Sequence, residues 1–118
     1  MARILVVDDE ETNRDLLRDL LQTEGHEIIL AENGQQGVVA YQQNRPQLVI
    51  TDILMPEMDG LELIKQIRAI APDQYIIALA AAGNIALEQA LEAGANEGLD
   101  KPFHIQHLLE KVQAALNL

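Results

Sequence analysis

Short apolar runs and longer apolar stripes take turns along this chain. The runs Ile4-Leu5-Val6-Val7, Ile28-Ile29-Leu30, Leu48-Val49-Ile50 and Tyr75-Ile76-Ile77-Ala78-Leu79 are rich in β-branched residues and do not alternate with polar ones. That is the pattern of strands buried on both faces. Gly98-Leu99 is a weaker fifth. Between the runs, apolar residues return at helical spacing. Leu16, Leu17, Leu20 and Leu21 form the first stripe, with Gly25 as its stop. Gly37-Val38-Val39-Ala40-Tyr41 lies between Asn33-Gly34 and Pro46. Leu61, Leu63, Ile64, Ile67 and Ile70 precede Pro72. Ile85, Leu87, Ala90 and Leu91 follow a capping Asn84 and end at Gly94. Ile105, Leu108, Leu109, Val112 and Leu116 make the last stripe. All these stripes are read as core, and His26, His104 and His107 as exposed.

Five strands alternating with five helices predict one doubly wound α/β domain over residues 1–118, a parallel sheet with helices on both faces. No linker, repeat or low-complexity stretch divides it, and no output domain is expected after the last helix. Composition narrows the function more than the fold. The 118 residues carry a formal charge of −11, which argues against nucleic-acid or anionic-membrane binding by this domain. No apolar run has the roughly 20 residues a membrane span needs, and the N-terminus lacks the layout of a signal peptide. With no cysteine, disulfides and thiolate metal sites are excluded, and a cytoplasmic location is expected.

In such a sheet, groups at the carboxyl ends of the strands converge on a crevice where the strand order reverses. The first strand ends in Asp8-Asp9-Glu10, the third in Asp52, the fifth in Asp100-Lys101-Pro102. Taken singly, Asp8 and Asp9 read as helix caps, Asp52 as a turn former, Asp59-Gly60 as a turn and cap, and Lys101 as a solvated side chain. Jointly they predict one acidic pocket of Asp8, Asp9 and Asp52 with Lys101 at its rim. Such a pocket needs positive charge, and Mg²⁺ suits a small all-oxygen site. A cation and a lysine together would receive a phosphoryl group, and a carboxylate between them can act as nucleophile.

The segments "VVDDE", "ITDILMPEMDG" and "DKPF" resemble the receiver domain of two-component response regulators over essentially the whole chain. The resemblance implies a flavodoxin-like fold with strand order 2-1-3-4-5. It implies Asp52 as phosphoacceptor, Asp9 as direct Mg²⁺ ligand, Asp8 acting on the metal through water, and the Leu54 carbonyl as a further ligand. Lys101 would hold the phosphoryl oxygens, and the Lys101-Pro102 bond would be cis. The implied partners are a histidine kinase or histidine phosphotransfer protein, and a downstream protein docking on the fourth and fifth helices.

Two positions depart from the family. Its fourth strand typically ends in Thr or Ser, whereas Ala80 stands here; three residues before the lysine it usually has Tyr or Phe, whereas Gly98 stands here. Both halves of the usual switch are absent, and Gly98 is expected to leave space that a ring from elsewhere could enter. Leu54 and Ala82 occupy the positions that tune the lifetime of the phosphoryl group. The leading reading is a phosphoacceptor module with a weakened or rerouted switch, catalysing only its own phosphorylation and dephosphorylation. A second is a non-switching or engineered receiver-fold binding scaffold. A phosphohydrolase is disfavoured by Leu54 where a second Asp would serve as acid/base, and a flavin site by the acidic first loop and 3% aromatic content.

Overall fold

The computed structural model describes residues 2–55, 58–81 and 85–117. Strands and helices alternate throughout: β1 (Arg3–Val7), α1 (Glu11–Thr23), β2 (Glu27–Ala31), α2 (Gly34–Asn44), β3 (Leu48–Asp52), α3 (Gly60–Ile70), β4 (Tyr75–Ala81), α4 (Ala86–Ala93), β5 (Glu97–Lys101) and α5 (Ile105–Leu116). All neighbouring strands are parallel, in the order β2-β1-β3-β4-β5.

Successive residues of each strand serve opposite faces of the sheet. Leu5, Val7, Val49, Ile76, Ala78 and Ala80 pack with Tyr41, Leu63, Ile64, Ile67 and Ala90 of α2, α3 and α4. Ile4, Val6, Leu48, Ile50, Ile77 and Leu79 pack with Leu17, Leu21, Leu108 and Val112 of α1 and α5. This is why the strand sequences carry no polar alternation.

Two strands run on past their apolar runs to the polar residues expected at their ends, and α2 starts earlier than its apolar stripe. β3 continues through Thr51 to Asp52 because its ladder with β4 persists to the pair Asp52–Leu79. Likewise β5 runs on through Asp100 and Lys101, opposite Ala80 and Ala81. Main-chain pairing ignores the polarity of the side chain it carries. α2 starts at Gly34, not Gly37, since the Asn33 side chain accepts the Gln36 N–H at 2.8 Å and caps it. Asp59 caps α3 in the same way, accepting from Glu62 N–H at 3.0 Å. Gly25 and Gly94 take the positive φ values, 92° and 124°, expected where α1 and α4 stop. The proposed cap Asn84 lies outside the described residues.

Not every apolar stripe is core. Leu16, Val39, Ile70, Ile85, Leu91 and Ile105 are exposed, lying beyond the strip that the sheet covers. His104 and His107 are exposed as expected, but His26 is half-buried and its Nδ1 accepts the Ala2 N–H at 3.2 Å. Burial and the nearby N-terminal charge lower its pKa.

Candidate functional site

The chain turns from β1 to one side to form β2, then to the other to form β3, so the carboxyl ends of β1 and β3 flank the reversal. Asp8 follows β1 directly and is 1% exposed. Its N–H extends the ladder to the Ala31 carbonyl at 3.2 Å. Its carboxylate accepts the Glu10 N–H on Oδ1 at 2.9 Å and Lys101 Nζ on Oδ2 at 3.4 Å. Asp8 is therefore not a helix cap; α1 begins after Glu10, without a side-chain cap.

Asp52 ends β3 and is 7% exposed. Ile53 N–H donates to its Oδ1 at 2.8 Å, and Lys101 Nζ donates to its Oδ2 at 3.1 Å. Behind it the chain is tightly held. Thr51 Oγ1 donates to the Asp52 carbonyl at 2.8 Å, and Gly60 N–H donates to the Ile53 carbonyl at 2.8 Å. Lys101 arrives from β5 across the end of β4, and the peptide bond that follows it, to Pro102, is cis.

Burial pushes the Asp52 carboxyl above its ordinary pKa, with Asp8 adding to the effect, while the Lys101 ammonium and its hydrogen bond pull the other way. For Lys101, burial opposes the charge, but Asp8 and Asp52 outweigh it and hold the ammonium above its ordinary value. The lysine is thus a permanent cation at neutral pH.

Ligand oxygens of Asp8, Asp9 and Glu10 lie within 4.8 Å of one another, with Asp9 and Glu10 exposed and Asp8 buried. Asp8 and Asp9 were expected in such a group; Glu10, also within "VVDDE", joins them. Asp52 is tied to the group through the shared ammonium. Every donor here is a hard oxygen, the set that suits Mg²⁺ and not a thiolate- or imidazole-seeking metal.

Among the other expected residues, Leu54 is 57% exposed, two positions after Asp52. Ala80 is 1% exposed within β4. Gly98 borders a cavity of about 280 Å³ that Phe103 and His104 also line, and a Cβ there would stand 3.2 Å from Cδ2 of Leu87, so α4 narrows the space expected without closing it. Tyr41 belongs to α2, buried, with its hydroxyl donating to Gln74 Oε1 at 2.9 Å, and is not a ring for that place. Ala82 lies outside the described residues. Arg14 was not expected at the site; its Nη1 donates to the Asp8 carbonyl at 2.8 Å. The available signal was its place on the apolar stripe with Leu17 and Leu21.

A cavity of about 550 Å³ opens beside the site, walled by Asp8, Glu10 and Lys101 together with Leu17, Leu79 and Phe103. A larger one of about 820 Å³ lies at the opposite edge, where Ala2, His26, Gln47 and Gln74 precede their strands, far from this chemistry.

An open parallel sheet of order 2-1-3-4-5 with acids gathered at its carboxyl edge defines a flavodoxin-like α/β domain with an acidic crevice. More specifically, the chain belongs to the response regulator receiver domain family, whose model matches residues 4–113. It is 40% identical over 117 residues to the chemotaxis protein CheY of Bacillus subtilis, covering 98% of each chain. It is 39% identical over 116 residues to response regulator MprA of a Mycobacterium species, covering 98% of this chain but 50% of that one. The chain thus spans about half the length of that relative. Among solved structures, a putative response regulator from Chloroflexus aurantiacus superimposes with a TM-score of 0.93 at 34% identity, covering 99% and 98% of the two chains. CheY4 of Vibrio cholerae does so at 0.90 and 30% identity, over 98% of each. The family places the chain in two-component signal transduction. Among the described residues, no helix is long and apolar enough to cross a membrane.

Proposed function

We propose that this receiver domain accepts a phosphoryl group on Asp52, with Mg²⁺ held by Asp8, Asp9, Asp52 and the Leu54 carbonyl, and with Lys101 on the phosphoryl oxygens. One observation carries the reading: a single ammonium lies 3.4 Å from Asp8 and 3.1 Å from Asp52, drawing carboxylates from two strands to one point. Bound Mg²⁺ would supply charge neutralisation for the transferring oxygens. The chain's own residues do the rest. A carboxylate oxygen of Asp52 attacks phosphorus, the phosphorus–nitrogen bond of a phosphohistidine donor breaks, and the imidazole leaves to take up a proton from water. Lys101 then moves its hydrogen bonds from carboxylate to phosphoryl oxygen without leaving the crevice. The domain turns over no other substrate.

Acetyl phosphate with Mg²⁺, followed by intact-mass and peptide mass spectrometry, tests this. One phosphoryl group on the peptide containing Asp52, lost when Mg²⁺ is chelated, is the expected result. An unmodified chain under conditions that label CheY would overturn it. That outcome would favour the scaffold reading, which draws support from Ala80 and from Leu87 packed against Gly98.

The donor partner is a histidine kinase or histidine phosphotransfer protein. The exposed apolar residues Ile85 and Leu91 of the fourth-helix region and Ile105 of α5 support an output face there. Coupling from the site to that face is weak in this proposal. Ala80 offers no hydroxyl to the phosphoryl group, and a charge-assisted hydrogen bond of about 1.5–3 kcal/mol is thereby forgone. Full two-state switching takes about 5.5 kcal/mol of differential binding. Titration with fluoroberyllate should therefore shift amides around Asp9, Asp52 and Lys101 and leave those of α4 and α5 nearly still. Large shifts across both helices would show an intact switch.

The phosphoryl group is also expected to be long-lived, because the Leu54 side chain can neither donate to nor orient an attacking water. Leu54→Asn should hasten its loss several-fold in Mg²⁺ buffer, read by the decay of the labelled mass. Equal decay in both proteins would exclude this role for Leu54.

A further inference from the structure

We infer that Arg14 is a positioning residue for the divalent cation: its guanidinium fixes the Asp8–Asp9 peptide and so the direction in which Asp9 is presented. The inference rests on the cation site proposed above. Arg14 is 8% exposed on the stripe of α1 that also buries Leu17 and Leu21. A guanidinium is rarely buried without a specific partner. Its two partners are unequal. Nη1 donates to the Asp8 carbonyl at 2.8 Å in a buried bond, whereas Nη2 reaches Glu32 Oε1 at 3.4 Å, and the Glu32 side chain is 63% exposed. The shorter, drier contact is the one to the main chain, so the ion pair is the lesser anchor. Glu32 nevertheless offsets the guanidinium charge, which makes Arg14 a poor candidate for a simple counter-ion to the pocket.

A carbonyl shares one rigid plane with the next residue's N–H. Holding the Asp8 oxygen therefore sets the plane from which Asp9 departs. Asp8 itself is fixed from several directions, by Ala31, Glu10 and Lys101. The Asp9 carboxylate is exposed and has no hydrogen-bond partner among the described residues. Its aim depends on its backbone, and Arg14 is the side chain that grips the peptide in front of it.

The test is Mg²⁺ titration of the wild type, Arg14→Gln, Arg14→Lys and Glu32→Gln, followed by the amide NMR signals of Asp9 and Glu10, with thermal melting measured alongside. Outer partners of metal ligands are typically worth about 10- to 100-fold in affinity. Arg14→Gln should accordingly weaken Mg²⁺ by about 10-fold or more, Glu32→Gln by no more than about 3-fold. Arg14→Lys keeps the charge but not the planar fork, and should fall between Arg14→Gln and the wild type. A purely structural Arg14 would lower the melting temperature but leave the affinity of the folded protein unchanged, and that result overturns the inference. Tighter binding in Arg14→Gln would also overturn it, since it would make the guanidinium merely a repelling charge. Should Arg14→Gln not fold, Arg14→Lys decides: intermediate affinity supports the inference and wild-type affinity removes it. Absence of Mg²⁺ binding by the wild type would instead remove the cation site itself.

Discussion

Asp52→Asn is expected to reduce phosphoryl acceptance to background and, without Mg²⁺, to raise the melting temperature near neutral pH. The first effect follows from chemistry, since an amide oxygen is a far weaker nucleophile than a carboxylate. The second follows from burial. Asp52 has its pKa raised above its ordinary 3.8, with desolvation the largest cause and Asp8 reinforcing it against Lys101. The folded state thus holds this proton more tightly than the unfolded state does. Stability falls as pH rises from the unfolded value through the raised native one, and the cost is fully present above that window. Asparagine carries no charge and escapes it, while Lys101 keeps Asp8 as a partner at 3.4 Å. The gain should shrink as the pH is lowered into the range where Asp52 is protonated anyway. Mg²⁺ should stabilise the wild type more than the variant. Thermal melts at several pH values, with and without Mg²⁺, check both signs. A variant less stable than the wild type at neutral pH would mean that attraction to Lys101 outweighs burial.

Gly60→Ala should be strongly damaging. Gly60 is the first residue of α3 and is buried. A Cβ there would run into the Asp52 carbonyl oxygen and would lie 2.7 Å from Ile53 Cα and 3.1 Å from the Asp52 carbonyl carbon. All three are main-chain atoms of the segment carrying the proposed nucleophile, so no side chain can swing aside. Relief requires α3 and the end of β3 to part, breaking the Gly60–Ile53 hydrogen bond and moving Asp52 from Lys101. Overpacking of this kind costs about 3 kcal/mol or more, and the folded fraction should also accept phosphate more slowly. Gly98→Ala is the control, since its Cβ would meet the end of the Leu87 side chain at 3.2 Å. That side chain can rotate, and the cost should stay below about 1 kcal/mol. Urea denaturation of both variants separates the cases, and equal stabilities would refute the contrast.

The fold was legible because short, β-branched apolar runs such as Ile4-Leu5-Val6-Val7 and Leu48-Val49-Ile50 alternate with helical stripes, and together they point to strands buried on both faces. Helix ends were legible where local chemistry decides them, as at Gly25, Asp59 and Gly94. At the strand ends the apolar runs stop short, and main-chain pairing carries the ladders on to Asp52 and Lys101, the polar residues expected to end them. Exposure of Leu16, Ile85 and Ile105 was hidden, since a stripe states that one face is apolar but not how far the sheet extends beneath it.

For the site, sequence by itself determined which acids and which lysine end strands, and hence that Asp8, Asp9, Asp52 and Lys101 would be neighbours once the strands became parallel. Only the tertiary structure decided that β4 intervenes and that Lys101 crosses its end to touch both Asp8 and Asp52. It also brought Glu10 into the acidic group, set Leu87 at the border of the space beside Gly98, and set Arg14 behind the Asp8 carbonyl. Periodicity reports which way a side chain faces within its own element. Contacts between elements depend on the order of strands and the depth of packing, and these are settled by the whole chain at once.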